Sequence, residues 1–254
     1  MTTKREEQVV NLLKAIETKD IEALSVIDSQ TYTQHNLMVA DGPGGFKEFI
    51  QSLPNGFASV STKRVFEDGD YVVAHSEIEI GVPRAVFDIF RFEGDKIVEH
   101  WDAAQELAPP NPSGRTLLDG QENISGDDAS LEDNKRIAKG FVENVLMAGD
   151  LSKAGDYIGD KYLQHHPLVR DGLGGLIEAF TQWQAEGIEV KYGTIHKVLG
   201  KGDFVLIVTE GVFNGDEVAF YDMFRLEGGG IVEHWDVVEA VLPRDQWQNS
   251  NGKF

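Results

Sequence analysis

The chain has 254 residues, no cysteine, and 43 Asp+Glu against 23 Lys+Arg, a formal net charge of -20. The length suits one large or two medium domains, and a hydrophobic content of 41% excludes a disordered chain. The acidity repels phosphate backbones and anionic membrane surfaces, so neither nucleic acid nor a membrane is expected as partner, and the lack of cysteine excludes disulfides, thiolate metal sites and a thiol nucleophile.

In chain order, Val9, Leu12, Leu13 and Ile16 recur at helical spacing and predict a first helix. A KD break introduces a second helical segment near 19–27. The YTQHN segment and a glycine turn, DGPGG, then lead into a third short helix over 45–53. The rest of the first half reads as strand, near 60–66, 71–80, 85–92 and 97–103. The second half repeats the series: helical periodicity at Ile137, Phe141, Val145 and Leu146, a segment at 151–158, then YLQHH, DGLGG and a helix over 175–183. Strands follow near 190–199, 204–213, 218–226 and 231–238, separated by GKGD, NGDE and EGGG. Helices first and strands later predict an α+β fold, with helices covering one face of a curved antiparallel sheet.

The hexapeptide IVEHWD occurs at 97–102 and again at 231–236, each time closing a DxFRxEGxxIVEHWD segment. Tyr32, Gln34, His35, Asp41, Gly42, Gly44 and Gly45 match Tyr162, Gln164, His165, Asp171, Gly172, Gly174 and Gly175 at an offset of 130. IVEHWD needs 134, so insertions are confined to loops. The chain therefore reads as a tandem domain duplication, 1–108 and 131–254. The Pro-, Gly- and Asp-rich stretch 109–130, with PPNPSG, LDG and SGDD, serves as linker, and Leu117 and Leu118 anchor part of it on a domain surface.

Asp88 and Asp222 each sit in a strand between apolar neighbours, and such a carboxylate must face solvent, a paired partner or a polar pocket. Each lies twelve residues before a histidine, His100 or His234, across a hairpin. A three-residue loop would set Asp88 opposite His100 and Asp222 opposite His234, while a slip of one residue would put Trp101 and Trp235 there instead. By alternation Asp102 and Asp236 share the histidine face, and the tryptophans point the other way. An Asp beside a His equips the pair for proton transfer near neutral pH, and no Ser or Cys nucleophile recurs with them. DGPGG and DGLGG lack the lysine of a phosphate loop and read as tight turns, with Gly45 and Gly175 permitting a close helix start.

YxQHN or YxQHH, then DGxxG, then DxFRxEGxxIVEHWD, and the closing NSNGKF, resemble the SnoaL-like branch of the nuclear transport factor 2-like superfamily in both halves. The resemblance implies two tandem cone-shaped domains, each a curved sheet wrapped by about three N-terminal helices around a pocket. It implies cofactor-independent acid/base chemistry of the polyketide cyclase type: aldol condensation, isomerisation or dehydration of a small apolar or carbonyl-containing molecule. His35, Asp88 and His100 would line the first pocket and His165, Asp222 and His234 the second. Tyr32, Asn36, His75 and Asp102, with Tyr162, His166 and Asp236, are the candidate binding residues. Asn36 becomes His166 and His75 becomes Val208 in the second copy, so the pockets are expected to be unequal.

The fold also hosts plain binding modules, so a non-catalytic small-molecule-binding protein is the alternative. A metal site built from His35, His75, His100 and Asp88 is a further one, as is a purely structural His–Asp core pair; the leading reading needs no metal and no cofactor. Pairing of sheets is usual in this superfamily, which implies a pseudo-dimer of the two domains, with a homodimer possible. The opening MTTKREEQVV has no signal core, and no stretch approaches the roughly 20 apolar residues of a membrane span, so a cytoplasmic location is expected.

Overall fold

The computed structural model describes residues 2–125 and 130–254, so most of the SGDD stretch lies outside the described residues. The chain forms two compact units with an unexpected division. Met1–Glu106 and Val241–Phe254 make the first, and Leu107–Ala240 makes the second. The boundaries read from the sequence are thereby corrected. The expected linker is part of the second unit, where Leu117 and Leu118 are buried, and the chain's last residues belong to the first.

In the first unit α1 (Lys4–Thr18) is followed by a 3-10 turn (Glu22–Val26), β1 (Thr33–Gln34), α2 (Gly42–Ser52), β2 (Ala58–Asp68), β3 (Tyr71–Ile80), β4 (Val82–Glu93) and β5 (Lys96–Glu106). A capping box starts α1: the Thr3 hydroxyl accepts from the Glu6 amide, and the Glu6 carboxylate accepts from the Thr3 amide. The predicted stripe Val9, Leu12, Leu13 and Ile16 is buried in one cluster with Phe46 and Ile50 of α2 and with Val72, Phe90 and Ile97 of the sheet. Helices thus cover one sheet face, the face that also carries Asp88, His100 and Asp102.

The second unit repeats the plan with α3 (Leu131–Phe141), which continues as a π-helical stretch (Val142–Met147), a 3-10 segment (Leu151–Asp156), β6 (Ile158–Gln164), α4 (Gly172–Glu186), β7 (Val190–Lys201), β8 (Phe204–Phe213), β9 (Asp216–Glu227) and β10 (Gly230–Ala240). The sheets have the same order, β1-β5-β4-β3-β2 and β6-β10-β9-β8-β7. Neither is purely antiparallel. The YxQ segment forms a strand that runs parallel to the IVEHWD strand, pairing Gln34 with His100 and Gln164 with His234.

α2 and α4 begin beside those parallel strands. Asp41 and Asp171, the residues before each helix, accept hydrogen bonds from the amides of Gln34 and Gln164. A Cβ on Gly45 would fall 1.9 Å from the Ala40 carbonyl oxygen, and one on Gly175 2.2 Å from that of Arg170, so both helix starts require glycine. The other face of the second sheet is also covered: Trp235 is buried and its indole donates to the Asp119 carbonyl at 2.7 Å.

Candidate functional site

The two IVEHWD hairpins turn on two residues each, Gly94–Asp95 and Gly228–Gly229, rather than three. Continued from those turns, the ladder would put Trp101 opposite Asp88 and Trp235 opposite Asp222. A β-bulge at Val98 in β5 and at Val232 in β10 absorbs one residue and restores the parity. The observed partners are Asp88 with Asp102 and Asp222 with Asp236, while His100 and His234 face Phe90 and Phe224. The expected direct Asp–His opposition is therefore corrected to a diagonal one on the same face. His100 Nε2 lies 3.0 Å from Asp88 Oδ1, and His234 Nε2 2.9 Å from Asp222 Oδ1.

A residue not singled out from the sequence fixes each histidine. Gln34 Oε1 accepts from the Asn36 amide, and Gln164 Oε1 from the amides of His165 and His166, so these oxygens are acceptors by necessity. The same oxygens lie 2.9 Å from Nδ1 of His100 and of His234. Nδ1 must then carry the hydrogen, which leaves one proton to be held between Nε2 and the aspartate. The glutamine amide groups donate to the phenolic oxygens of Tyr32 and Tyr162. The signal available in the sequence was the Q of the repeated QH pair.

Around the second aspartate of each site the copies diverge. The Asn36 amide group donates to Asp102 Oδ2, and His166 Nε2 lies 3.7 Å from Asp236 Oδ2, so the Asn36/His166 difference falls inside the site. Lys253 Nζ stands 3.6 Å from Asp102 Oδ1. In the second unit the Tyr192 hydroxyl donates to Asp222 Oδ1 at 3.3 Å, and its ring stacks on Phe220 at 4.1 Å. Tyr192 pairs with Gly211, where a Cβ would meet Phe220 at 2.7 Å, so that glycine clears the space.

Three predicted histidines lie elsewhere. His35 and His165 do not join the Asp–His–Asp face. They stack on Trp101 and Trp235 with centroids 4.8 Å apart, and each places Nε2 3.0 Å from a glutamate, Glu99 or Glu233. They follow Gln34 and Gln164 by one residue, and alternation sends them to the opposite sheet face. His75 is on that face too, stacked on Phe87 and accepting from Arg64 at Nδ1. The set His35, His75, His100 and Asp88 is thus not assembled. The three potential ligands that do converge are Asp88, His100 and Asp102, whose ligating atoms lie within 4.8 Å of one another. The Lys253 ammonium already stands beside that cluster, so a metal ion there would compete with a built-in cation.

Burial first of all pushes the carboxyls of Asp88 and Asp222 above the ordinary range. The histidine hydrogen bonds oppose it, and the charge of the second aspartate reinforces it. Burial likewise raises the phenols of Tyr32, Tyr162 and Tyr192, which remain protonated donors at neutral pH. Asp88 Oδ2, Asp222 Oδ2 and Asp236 Oδ1 are buried and accept no hydrogen bond among the described residues. In the second unit a narrow cavity of about 30 Å³ has walls of Phe141, Phe180, Trp183, Phe213 and Phe220 and a polar end formed by Tyr162, Gln164, His166, Tyr192, His234 and Asp236. Asp222 lies behind His234 and Tyr192 and is not part of this wall.

Residues 9–100 match the SnoaL-like domain family, a span from α1 to the site histidine of β5. The match lies within the first unit, and the motif and the sheet order recur in the second. No curated protein matches it. Similar solved structures include IdmH of Streptomyces antibioticus (21% identity, 41% of this chain and 91% of that one, TM-score 0.33) and TsrD of Streptomyces laurentii (21%, 45% and 91%, TM-score 0.33). A third is an NTF-2 like protein of unknown function from Burkholderia xenovorans (17%, 47% and 96%, TM-score 0.38). No helix among the described residues is long and apolar enough to cross a membrane.

Proposed function

We propose that the second unit holds a cofactor-independent acid/base site for a small carbonyl compound. The observation that supports this best is the polar end of its aromatic cavity, where Asp236 carries a buried, unsatisfied carboxylate oxygen beside His166. Asp236 is the base that removes a proton next to the carbonyl. The phenol of Tyr162, kept neutral, and His166 are the donors for the developing oxyanion, while Tyr192 gives its hydroxyl proton to Asp222. Asp222 holds His234 and shares its proton from behind the wall. Aldol closure, isomerisation and dehydration all begin with that proton removal. The first unit carries the same pair in Asp88 and His100, with Asp102 in the place of Asp236.

The test is hydrogen exchange in heavy water, with a panel of carbonyl compounds and mass detection of deuterium next to the carbonyl. Asp236→Asn combined with Asp222→Asn should lower exchange by about 100-fold or more. A parallel Asp88→Asn and Asp102→Asn variant reports how much the first unit contributes. Exchange that survives all four changes removes these carboxylates from the chemistry. The aromatic walls also suit a binding module without turnover, and such a module would retain an apolar ligand through purification while showing no exchange.

A further inference from the structure

Lys253 is 5% exposed although it lies outside every helix and strand. A built strap holds it there. The side-chain amide of Asn249 donates to the carbonyls of Asn36 and Val39 at 2.7 and 3.0 Å, that of Asn251 to the Gln34 carbonyl at 2.9 Å, and the Gln248 amide to the Leu37 carbonyl at 2.8 Å. His35 Nδ1 lies 2.9 Å from the Gly252 carbonyl oxygen. Every one of these contacts falls on 34–39, the segment that carries Gln34 and Asn36 of the first site.

The second unit has a matching strap with a different outcome. Asn111 donates to the carbonyls of Gln164 and Val169 at 2.6 and 2.9 Å, as Asn249 does on the equivalent segment. Counting on from those asparagines, Arg115 stands where Lys253 does. Arg115 reaches out to Asp171 at 3.0 Å, away from the buried aspartates, and the residue beside Asp236 is His166.

We propose that Lys253 is a positioning residue of the first site, a tethered cation beside Asp102 that governs how tightly Asp88 and His100 keep their shared proton. This rests on reading the Asp–His pairs as proton-handling groups. The charged and titratable groups facing the strap are Asp102, His100 and Glu99 of β5, Asp88 of β4, His35 beside β1 and Asp41 before α2. The Lys253 charge also acts on Asp88, in the direction of easier ionisation. Two sites that share Asp, His and Asp thereby differ in their fourth member: Lys253 beside Asp102 in one, and His166 beside Asp236 in the other.

The experiment is side-chain nitrogen NMR of the histidines across a pH titration of the full chain, in the wild type, Lys253→Gln and Lys253→Arg. Glutamine keeps a donor for Asp102 but removes the charge. Its expected effect is a rise of about one pH unit in the His100 midpoint, with His234 unchanged. Arginine should restore the wild-type midpoint. An unmoved His100 in a folded Lys253→Gln protein overturns the proposal. Collapse of the first unit in Lys253→Gln, with Lys253→Arg folded, assigns the lysine to stability and overturns it equally. A shifted midpoint with no hydrogen exchange by any variant overturns the acid/base reading alone.

Discussion

A buried carboxyl that is hard to ionise makes stability depend on pH in the reverse of the usual sense. The Asp222 carboxyl is raised in the folded chain, so its contribution is complete below the ordinary carboxylate value and is lost as pH climbs through the raised one. Asp222→Asn lacks this dependence, and its amide can still donate to His234 Nε2. Its melting temperature should equal or exceed that of the wild type at pH 8, with the advantage shrinking as pH falls; a lower value throughout would show that the charge stabilises the fold. Glu233 behaves oppositely. Burial raises it, but hydrogen bonds from His165 and Arg225 win and hold it below the ordinary range, so its contribution is present at neutral pH and disappears in acid. Glu233→Ala should cost about 3 kcal/mol in urea unfolding at pH 7, because it strands a buried His165 and an Arg225. At this scale strand alternation made the Asp–His–Asp face legible. It did not reveal Gln164, whose role depends on a two-residue parallel contact, or Lys253, which arrives from beyond the repeat.

The hairpin that carries the histidine depends on two irregularities that cancel. A two-residue turn offsets the ladder by one, and the bulge at Val98 or Val232 offsets it back. Deleting Val232 should heal the bulge and keep His234 opposite Phe224 and Asp236 opposite Asp222. The second unit should then retain its near-ultraviolet dichroism, and loss of that signal would show that the extra residue itself is needed for the packing around the hairpin. The strap asparagines are the other critical pieces. Asn111→Ala and Asn249→Ala should each destabilise their own unit by about 2 kcal/mol, read as separate shifts in denaturant midpoint, since each leaves buried carbonyls unpaired. Strand and helix positions were readable from periodicity and turn composition. The bulges were not, because nothing in IVEHWD distinguishes an extra residue in the strand from one in the turn.

Across the whole molecule the two-copy plan was visible in the repeat, but its division was not. A Pro- and Gly-rich stretch has the composition of a linker whether it is loose or docked, and only the asparagine and leucine contacts show that 107–125 packs on the second unit. The net charge of -20 adds a global term, self-repulsion that dissolved salt screens. Raising sodium chloride from 10 to 150 mM should therefore raise the melting temperature; a fall would indicate that surface ion pairs outweigh the repulsion. Removing residues 248–254 should lower the melting of the first unit and leave that of the second in place, which would split a single calorimetric transition into two. The strap also imposes an order on biosynthesis. At about 5–20 residues per second, the ribosome needs roughly 7 to 30 s to go from the end of β5 to the strap. The first sheet thus waits for a strap made after the whole second unit, and a chain stopped just after β10 would have a finished second unit and an unfinished first one.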